Sequence, residues 1–321
     1  MRKTVWCILV CLLGLMLGEA NGQAADFSEW LAGVKREALQ DGVSAETIEQ
    51  ALKKVTPNEL VLKLDRNQPE FKLSLNDYLE RVLSTTKIRN GRENLQKNNV
   101  LLDKIAVRYG VQPRFLIAFW GIETDFGRVL GGLPVIESLV TLAYDPRRSA
   151  FFRAELLHAL HIVDDGVVTV KSLEGSWAGA FGGLQFLPSV YRTYGQDFNH
   201  NGRVDIWQEP GDLFATGANY LAKSGWRFDQ TWGRQVVLPD RFDSSLIGLE
   251  TRRKISQWQA LGVRRLNKAD LPTRELAASI VQPDKDDGRA FMVYNNFRTV
   301  LKWNRSLYYA VAVGLLSDRL R

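Results

Sequence analysis

Histidine and cysteine are nearly missing from this chain, with three and two of them in 321 residues. Both cysteines, Cys7 and Cys11, stand inside a stretch that reads as an export leader. Arg2 and Lys3 open it, residues 5–16 are apolar, and small residues follow over 20–25. The apolar run is shorter than the roughly 20 residues that a permanent membrane helix needs. Residues 1–25 are therefore expected to be a signal peptide, cut near Ala24 or Ala25, with a retained anchor as the alternative. Neither cysteine follows the small residues of a lipoprotein site. The expected mature protein is soluble and exported, with no disulfide and no thiol chemistry.

The other absences are equally exclusive. His158 and His161 lie three apart and share a helix face. No cysteine or acidic cluster accompanies them or His200, which argues against zinc. There is no G-x-S-x-G elbow and no phosphate-cradling loop, so covalent serine and phosphoryl-transfer chemistry lack support. Nor is there an internal repeat, a low-complexity run or a long linker.

The formal charge is +6 from 42 basic and 36 acidic residues. Without Arg2, Lys3 and Glu19 of the leader, 40 and 35 remain, still a net +5. A basic surface suits an acidic partner such as a cell-wall polymer or an anionic lipid surface. An export leader argues against nucleic acid.

Most of the chain has helical periodicity. Residues 27–56 read as two amphipathic helices split at Asp41-Gly42, with Ser44 as N-cap of the second. Helices are also expected over 98–109, before Gly110, over 149–164, from Pro188, over 213–224 and over 306–316. Residues 235–238 and 245–249 read as strands, and 290–300 as extended passing into helix. The expected class is mainly α with a small β-containing insertion. Its expected divisions are a helical region at 26–97, a core at 98–235, an insertion at 236–285 and a segment at 286–321 that completes the core.

Three segments carry chemistry. The first is FLIAFWGIETDFG at 115–127, where Glu123 ends an almost wholly apolar run. Pro113 suits the first turn of that helix and Gly127 the residue just past its end. A carboxyl group among apolar side chains in the last turn keeps its proton near neutral pH, because burial and the helix dipole both disfavour its charge. The plainer reading is a Glu that faces water or pairs with Arg128. The second is GSWAGAFGGLQFLP at 175–188, where Gly and Ala let a ligand approach the backbone and Trp177 and Phe181 offer flat faces, as in a sugar-binding wall. Ser176 and Gln185 are its polar members; tight helix packing explains the same composition.

The third segment, DFNHNGRVDIWQEPGD at 197–212, has calcium-loop spacing. Asp197, Asn199 and Asn201 alternate, Gly202 is sixth, Arg203 offers its carbonyl at the seventh place, and Asp205 follows. Gln208 stands at the twelfth place in lieu of a bidentate Glu, and Asp212 is the candidate to replace it. A polar turn that holds no ion is the alternative.

Together GIETDFG at 121–127, GSWAGAFGGLQFLPS at 175–189 and the 197–207 loop resemble, in that order, the lytic murein transglycosylases of the membrane-bound type B family. FMVYNNFRTVLKWNRS at 291–306 resembles the C-terminal segment of that family, and residues 65–71 a further piece. The resemblance covers residues 27–320. It implies a lysozyme-like catalytic domain preceded by extra helices, and cleavage of the MurNAc–GlcNAc β-1,4 bond of peptidoglycan without water. It places Glu123 on the catalytic glutamate, and Ser176, Gln185, Tyr294 and Asn295 on positions that line the sugar groove. No cofactor is required for that chemistry, and a structural calcium ion is optional, since Asn201 stands where Asp is commoner. Glycan strands are the implied partner, the periplasm the implied location, and no protein partner is implied.

The implied mechanism uses one carboxyl group. Glu123 protonates the glycosidic oxygen and then takes a proton from the C6 hydroxyl of the same muramyl residue, leaving a 1,6-anhydro end. A hydrolytic muramidase, the alternative enzyme, needs a second carboxylate within roughly 5–10 Å. Asp125 would leave a helix on another face, while Glu137 and Asp145 lie on neighbouring segments. A non-catalytic wall-binding protein is the alternative outside enzymes.

Overall fold

The structure, a computed structural model, describes residues 26–67 and 73–321. The expected leader with both cysteines, and residues 68–72 of the resemblance, lie outside the described residues. Seven helices come first: α1 over 26–40, α2 Ala45–Leu52, α3 Glu59–Arg66, α4 Leu75–Val82, α5 Thr85–Lys97, α6 Asn99–Tyr109 and α7 Pro113–Thr124. There follow β1 Leu133–Pro134, α8 Val135–Tyr144, α9 Ser149–Asp164, β2 Glu174–Gly175, α10 Pro188–Tyr194 and α11 Pro210–Lys223. The chain then runs through β3 Gly233–Val237, β4 Arg253–Lys254, α12 Ile255–Ala260, β5 Arg264–Arg265, β6 Ala277–Val281 and β7 Ala290–Val293. It closes with α13 Asn295–Trp303 and α14 Leu307–Arg319.

These elements form two compact units. The first holds the described residues through Asp65, Gly131–Ala180 and Leu187–Ser189; the second holds Arg66–Leu130, Phe181–Phe186 and Val190–Arg321. This partition differs from the expected divisions, because α4 packs on α14 and α5 on α7.

In the first unit, α8 is buried along almost its whole length and packs on α9. The polar groups on these helices are tied to the N-terminal segments. Asn58 donates from Nδ2 to Glu137 Oε1 at 2.5 Å, and from its backbone to Thr141 Oγ1 at 2.9 Å. Ser44 caps α2 as expected and also donates its hydroxyl to Asp164 Oδ1. That hydroxyl is the main reason the Asp164 carboxyl titrates below its ordinary value. Asp65, 5 % exposed, sits between Arg147 and Arg148, so its burial is matched by charge. β1 and β2 form a short antiparallel pair.

In the second unit, α7 is the central helix, with α14, α5 and α6 packed against it. A five-stranded antiparallel sheet in the order β4-β6-β7-β3-β5 spans residues 233–293, wider than the expected insertion at both ends. Trp258, fully buried with Val236, Ile255, Ile280 and Met292, anchors it and donates Nε1 to Ala278 O at 3.0 Å. The expected strand over 245–249 is absent. Asp243 accepts from Ser245 N and closes a 3-10 turn over Ser244–Leu246, leaving only a single bridge between Ile247 and Ile280. The other elements expected from periodicity are present within a few residues of their expected bounds.

One close packing in this unit gives a stability test. Trp232 is fully buried, donates Nε1 to Asp318 Oδ2 at 2.9 Å and lies across Gly314 of α14. A Cβ at Gly314 would stand 2.2 Å from the indole ring. Gly314→Ala is expected to destabilise the protein by about 1–3 kcal/mol through overpacking; thermal unfolding with an unchanged midpoint would contradict this reading of the contact.

Candidate active site

Glu123 occupies the last turn of α7, as expected, but the helix ends differently from expectation. Phe115–Phe119 are fully buried, so the helix body has no face to spare for solvent. Pro113 opens it, and Asp125, not Gly127, caps it with φ of 52°. Phe126 N then donates back to Trp120 O at 3.2 Å, closing the end. Arg128, the arginine of the plainer expectation, pairs with Asp125.

Glu123 is half-buried, and its Oε1 accepts two hydrogen bonds from the C-terminal helices. Trp303 Nε1, at the end of α13, donates at 2.9 Å, and the Tyr309 hydroxyl, in the first turn of α14, donates at 2.5 Å. Trp303 is itself fixed by rings: its centroid lies 4.6 Å from Phe119, 5.5 Å from Phe186 and 5.2 Å from Tyr220. The carboxyl plane is thus set by donors whose own rotamers are locked by packing. Trp303 lies in the 291–306 segment singled out from sequence; Tyr309 lies beyond it and carries no local signal.

The glycine-rich segment is divided between the two units. Phe181 and Phe186 bridge each other at 3.0 and 2.9 Å, making a hairpin with Gly182–Gln185 at its tip. Gly183 O accepts the Thr124 hydroxyl at 2.6 Å, tying that tip to the residue after Glu123. Gln185 takes φ of 50° and donates Nε2 to Leu130 O at 2.9 Å and to Gly182 O at 3.2 Å. Its amide is therefore occupied in shaping the hairpin. Phe181 stacks on Trp207 at 5.4 Å. Ser176, with Trp177, belongs to the first unit, where its hydroxyl accepts from Ala180 N at 3.2 Å.

The two remaining groove candidates also have structural partners. Tyr294 is 2 % exposed, and its hydroxyl accepts from Arg234 Nε at 3.1 Å. Burial pushes that phenol above its ordinary pKa. Asn295 donates Nδ2 to Gly225 O at 2.7 Å. Of the expected alternative carboxylates, Glu137 is engaged by Asn58, and Asp145 accepts from Arg147 N at 3.0 Å.

The calcium-like loop is a set of side-chain-to-backbone turns. Asp197 Oδ1 and Asn199 Oδ1 both accept from Asn201 N, at 3.1 and 3.0 Å, and Asp197 Oδ2 accepts from Gly202 N at 2.8 Å. Asn201 Oδ1 accepts from Arg203 N, and Asp205 Oδ1 from Trp207 N and Gln208 N. Oxygen atoms thus gather on one turn, a donor set that suits a hard cation. Asp212 also meets backbone groups. It is fully buried, and its two oxygens accept from Phe198 N and Asp205 N, both at 2.8 Å, so that it closes the loop at both ends. Among the described residues no cluster of three or more His, Cys, Asp or Glu could hold a metal ion. His161 instead meets Asp41 at 2.9 Å.

Removing the Asp212 carboxylate orphans two backbone N–H groups. Asp212→Ala is expected to cost about 3 kcal/mol and to expose the 197–205 segment to proteolysis; a variant as stable and protease-resistant as the parent would show that the loop closes without it.

An oriented carboxyl beside an aromatic, glycine-rich hairpin is the equipment of an acid/base enzyme that acts on sugars. Comparison with known proteins narrows this class. Residues 26–318 match the family model described as Transglycosylase SLT domain. The chain is 31 % identical over 252 residues to membrane-bound lytic murein transglycosylase B of Escherichia coli, covering 75 % of this chain and 66 % of that relative. The SltB3 crystal structure from Pseudomonas aeruginosa in complex with NAG-anhNAM-pentapeptide superposes with a TM-score of 0.86 at 41 % identity, over 92 % of this chain and 79 % of the other. The Escherichia coli lytic transglycosylase Slt35 in complex with calcium gives 0.79 at 26 % identity, over 90 % and 92 %. The chain belongs to the SLT family of lytic transglycosylases, whose members are glycosidic-bond lyases.

Proposed function

We propose that this protein cleaves the MurNAc–GlcNAc β-1,4 bond of peptidoglycan as a lytic transglycosylase, with Glu123 as its sole general acid and base. The carrying observation is the pair of donors, Trp303 and Tyr309, on the single oxygen Oε1. With Oε1 accepting twice, Oε2 is the oxygen assigned to carry the transferable proton. Glu123 gives that proton to the glycosidic oxygen as the bond to C1 breaks. The resulting carboxylate is stabilised by the same two hydrogen bonds, which strengthen on an ionised acceptor. It then takes the proton of the muramyl C6 hydroxyl while that oxygen closes on C1, giving the 1,6-anhydro ring. The nucleophile belongs to the substrate and is held at high effective concentration, so the enzyme need not position a water with a second carboxylate.

Gln185 and Asn295 contribute to the sugar groove by holding the backbone that lines it, and Tyr294 by supporting the segment that leads into α13; Ser176 is a candidate glycan contact of the first unit. A peptidoglycan substrate and the leader expected at residues 1–25 both support a periplasmic location. No described helix is long and apolar enough to cross a membrane. Calcium, where present, would sit among Asp197, Asn199, Asn201 and the Arg203 carbonyl; it would stiffen the loop and take no part in bond cleavage.

Digestion of purified peptidoglycan followed by mass spectrometry tests the reaction. Anhydromuramyl ends, lighter by one water than reducing ends, are expected; reducing ends alone would sink the proposal in favour of a hydrolytic muramidase. Glu123→Gln keeps the shape but cannot cycle a proton, and should lower turnover by about 10²–10⁴-fold while sacculus binding persists. A wild-type protein that binds sacculi but releases nothing would point to a wall-binding role. Added calcium should raise the melting temperature by about a few degrees; an unchanged midpoint would reduce the 197–205 segment to a polar turn.

A further inference from the structure

Immediately after Glu123 and Thr124 the backbone reverses through three consecutive left-handed residues, Asp125, Phe126 and Gly127, at φ of 52°, 62° and 81°. Only the glycine adopts this without penalty. Two strained residues directly behind a candidate catalytic group call for something that holds them there.

One face of α5 supplies it. Lys87, whose side chain is only 14 % exposed, donates Nζ to Gly121 O at 2.7 Å, a carbonyl in the last turn of α7. The same ammonium lies 3.5 Å from Asp125 Oδ1, while Arg128 pairs with the other oxygen of that carboxylate. Gly91, one helical turn beyond Lys87, faces Phe126. A Cβ at Gly91 would stand 3.3 Å from the tip of that ring, and one at Gly121 would stand 2.8 Å from it. Phe126, 9 % exposed, therefore fills a slot that two glycines leave open. The ammonium locks the polar side of the reversal, and the slot locks its apolar side.

We propose that Lys87 is a positioning residue for Glu123, holding the α7 terminus through Gly121 O and Asp125 and offsetting the negative end of the helix dipole beside the carboxyl group. This inference rests on the reading of Glu123 as the acid and base. The charged and titratable groups against this end of α7 include Lys87 from α5, Tyr309 from α14, and Asp125 and Arg128 from the reversal itself. A cation at a helix C-terminus favours the ionised form of a nearby carboxyl group. Loss of Lys87 therefore raises the pH at which Glu123 gives up the proton it needs as an acid. Loss of the Asp125 charge removes a like charge and moves that limb the other way.

The test compares Lys87→Met, Lys87→Arg and Asp125→Asn in the full-length protein, following anhydromuramyl release from peptidoglycan across pH, with melting temperatures in parallel. Lys87→Met should lower kcat by about 10–100-fold through misplacement of the carboxyl group, with KM changed less than about twofold. Its basic limb should move up by about 0.2–0.7 pH units. Lys87→Arg, which keeps the charge and a donor, should recover most of the rate and all of the limb. Asp125→Asn should move the basic limb down, and it carries the test if Lys87→Met does not fold. Unshifted pH profiles, shifts of the same sign in both variants, or a rate loss that vanishes at temperatures where Lys87→Met is fully folded would overturn the assignment. A wild-type enzyme without anhydromuramyl products would overturn the proposed function instead, whatever the Lys87 variants do.

Discussion

The candidate site depends on where α7 stops. Its body is enclosed by other helices of the second unit, and in its last turn Glu123 is only half-buried. A helix ending one turn later would carry Asp125 and Phe126 onward in the same spiral. Phe126 would then leave the slot over Gly91 and Gly121, and the Thr124 hydroxyl would lose the geometry that links Gly127 N and Gly183 O. The left-handed reversal is thus a structural constraint with a functional consequence. It fixes Glu123 in a terminal turn, where the dipole bears on its charge, and it brings the tip of the glycine-rich hairpin against the next residue.

Much of this was legible locally and some of it was not. Pro113 at the head of α7, Gly110 ending α6, the Ser44 cap and the helix of Glu123 follow from short-range rules that need no tertiary contact. The exact end of α7 did not follow, because a glycine is the default for a left-handed residue and Asp125 takes the role only with Lys87 and Arg128 to hold its carboxylate. The partners of Glu123 lie 180 and 186 residues away. No periodicity marks them, and Tyr309 in particular reads as one more aromatic on an apolar helix. The strand expected over 245–249 failed for a local reason that was visible: Asp243 precedes the apolar residues and caps a turn.

A second lesson concerns polar residues in an apolar setting. Gln185 is a polar exception in its glycine-rich segment, Asp212 follows from calcium-loop spacing, and Asn295 from the family resemblance. In the structure each satisfies backbone groups of an irregular stretch: Gln185 at Leu130 and Gly182, Asn295 at Gly225, and Asp212 at Phe198 and Asp205. Irregular backbone near a buried site leaves donors and acceptors that helices and sheets do not pair, and side chains must make up the difference. Such residues shape a groove even where they do not touch its ligand. Substituting them would disturb the backbone first, which makes loss of activity on mutation a poor sign of direct contact.

Glu123 differs from these in kind. Its hydrogen bonds from Trp303 and Tyr309 go to one oxygen of a carboxyl group, a pattern compatible with both of its protonation states. In the acid form the accepting oxygen is the carbonyl-like one, and in the base form it is half of a carboxylate. In the proposed mechanism neither transfer requires the donors to move, so little reorganisation accompanies the change of role. A single group that serves first as acid and then as base gains most from such an arrangement. A pair of carboxylates divides the two tasks and needs its members held in opposite ionisation states by unlike surroundings. The economy of one carboxyl group, two fixed donors and a nucleophile carried by the substrate fits a bond cleavage that returns the proton to the glutamate within each turnover.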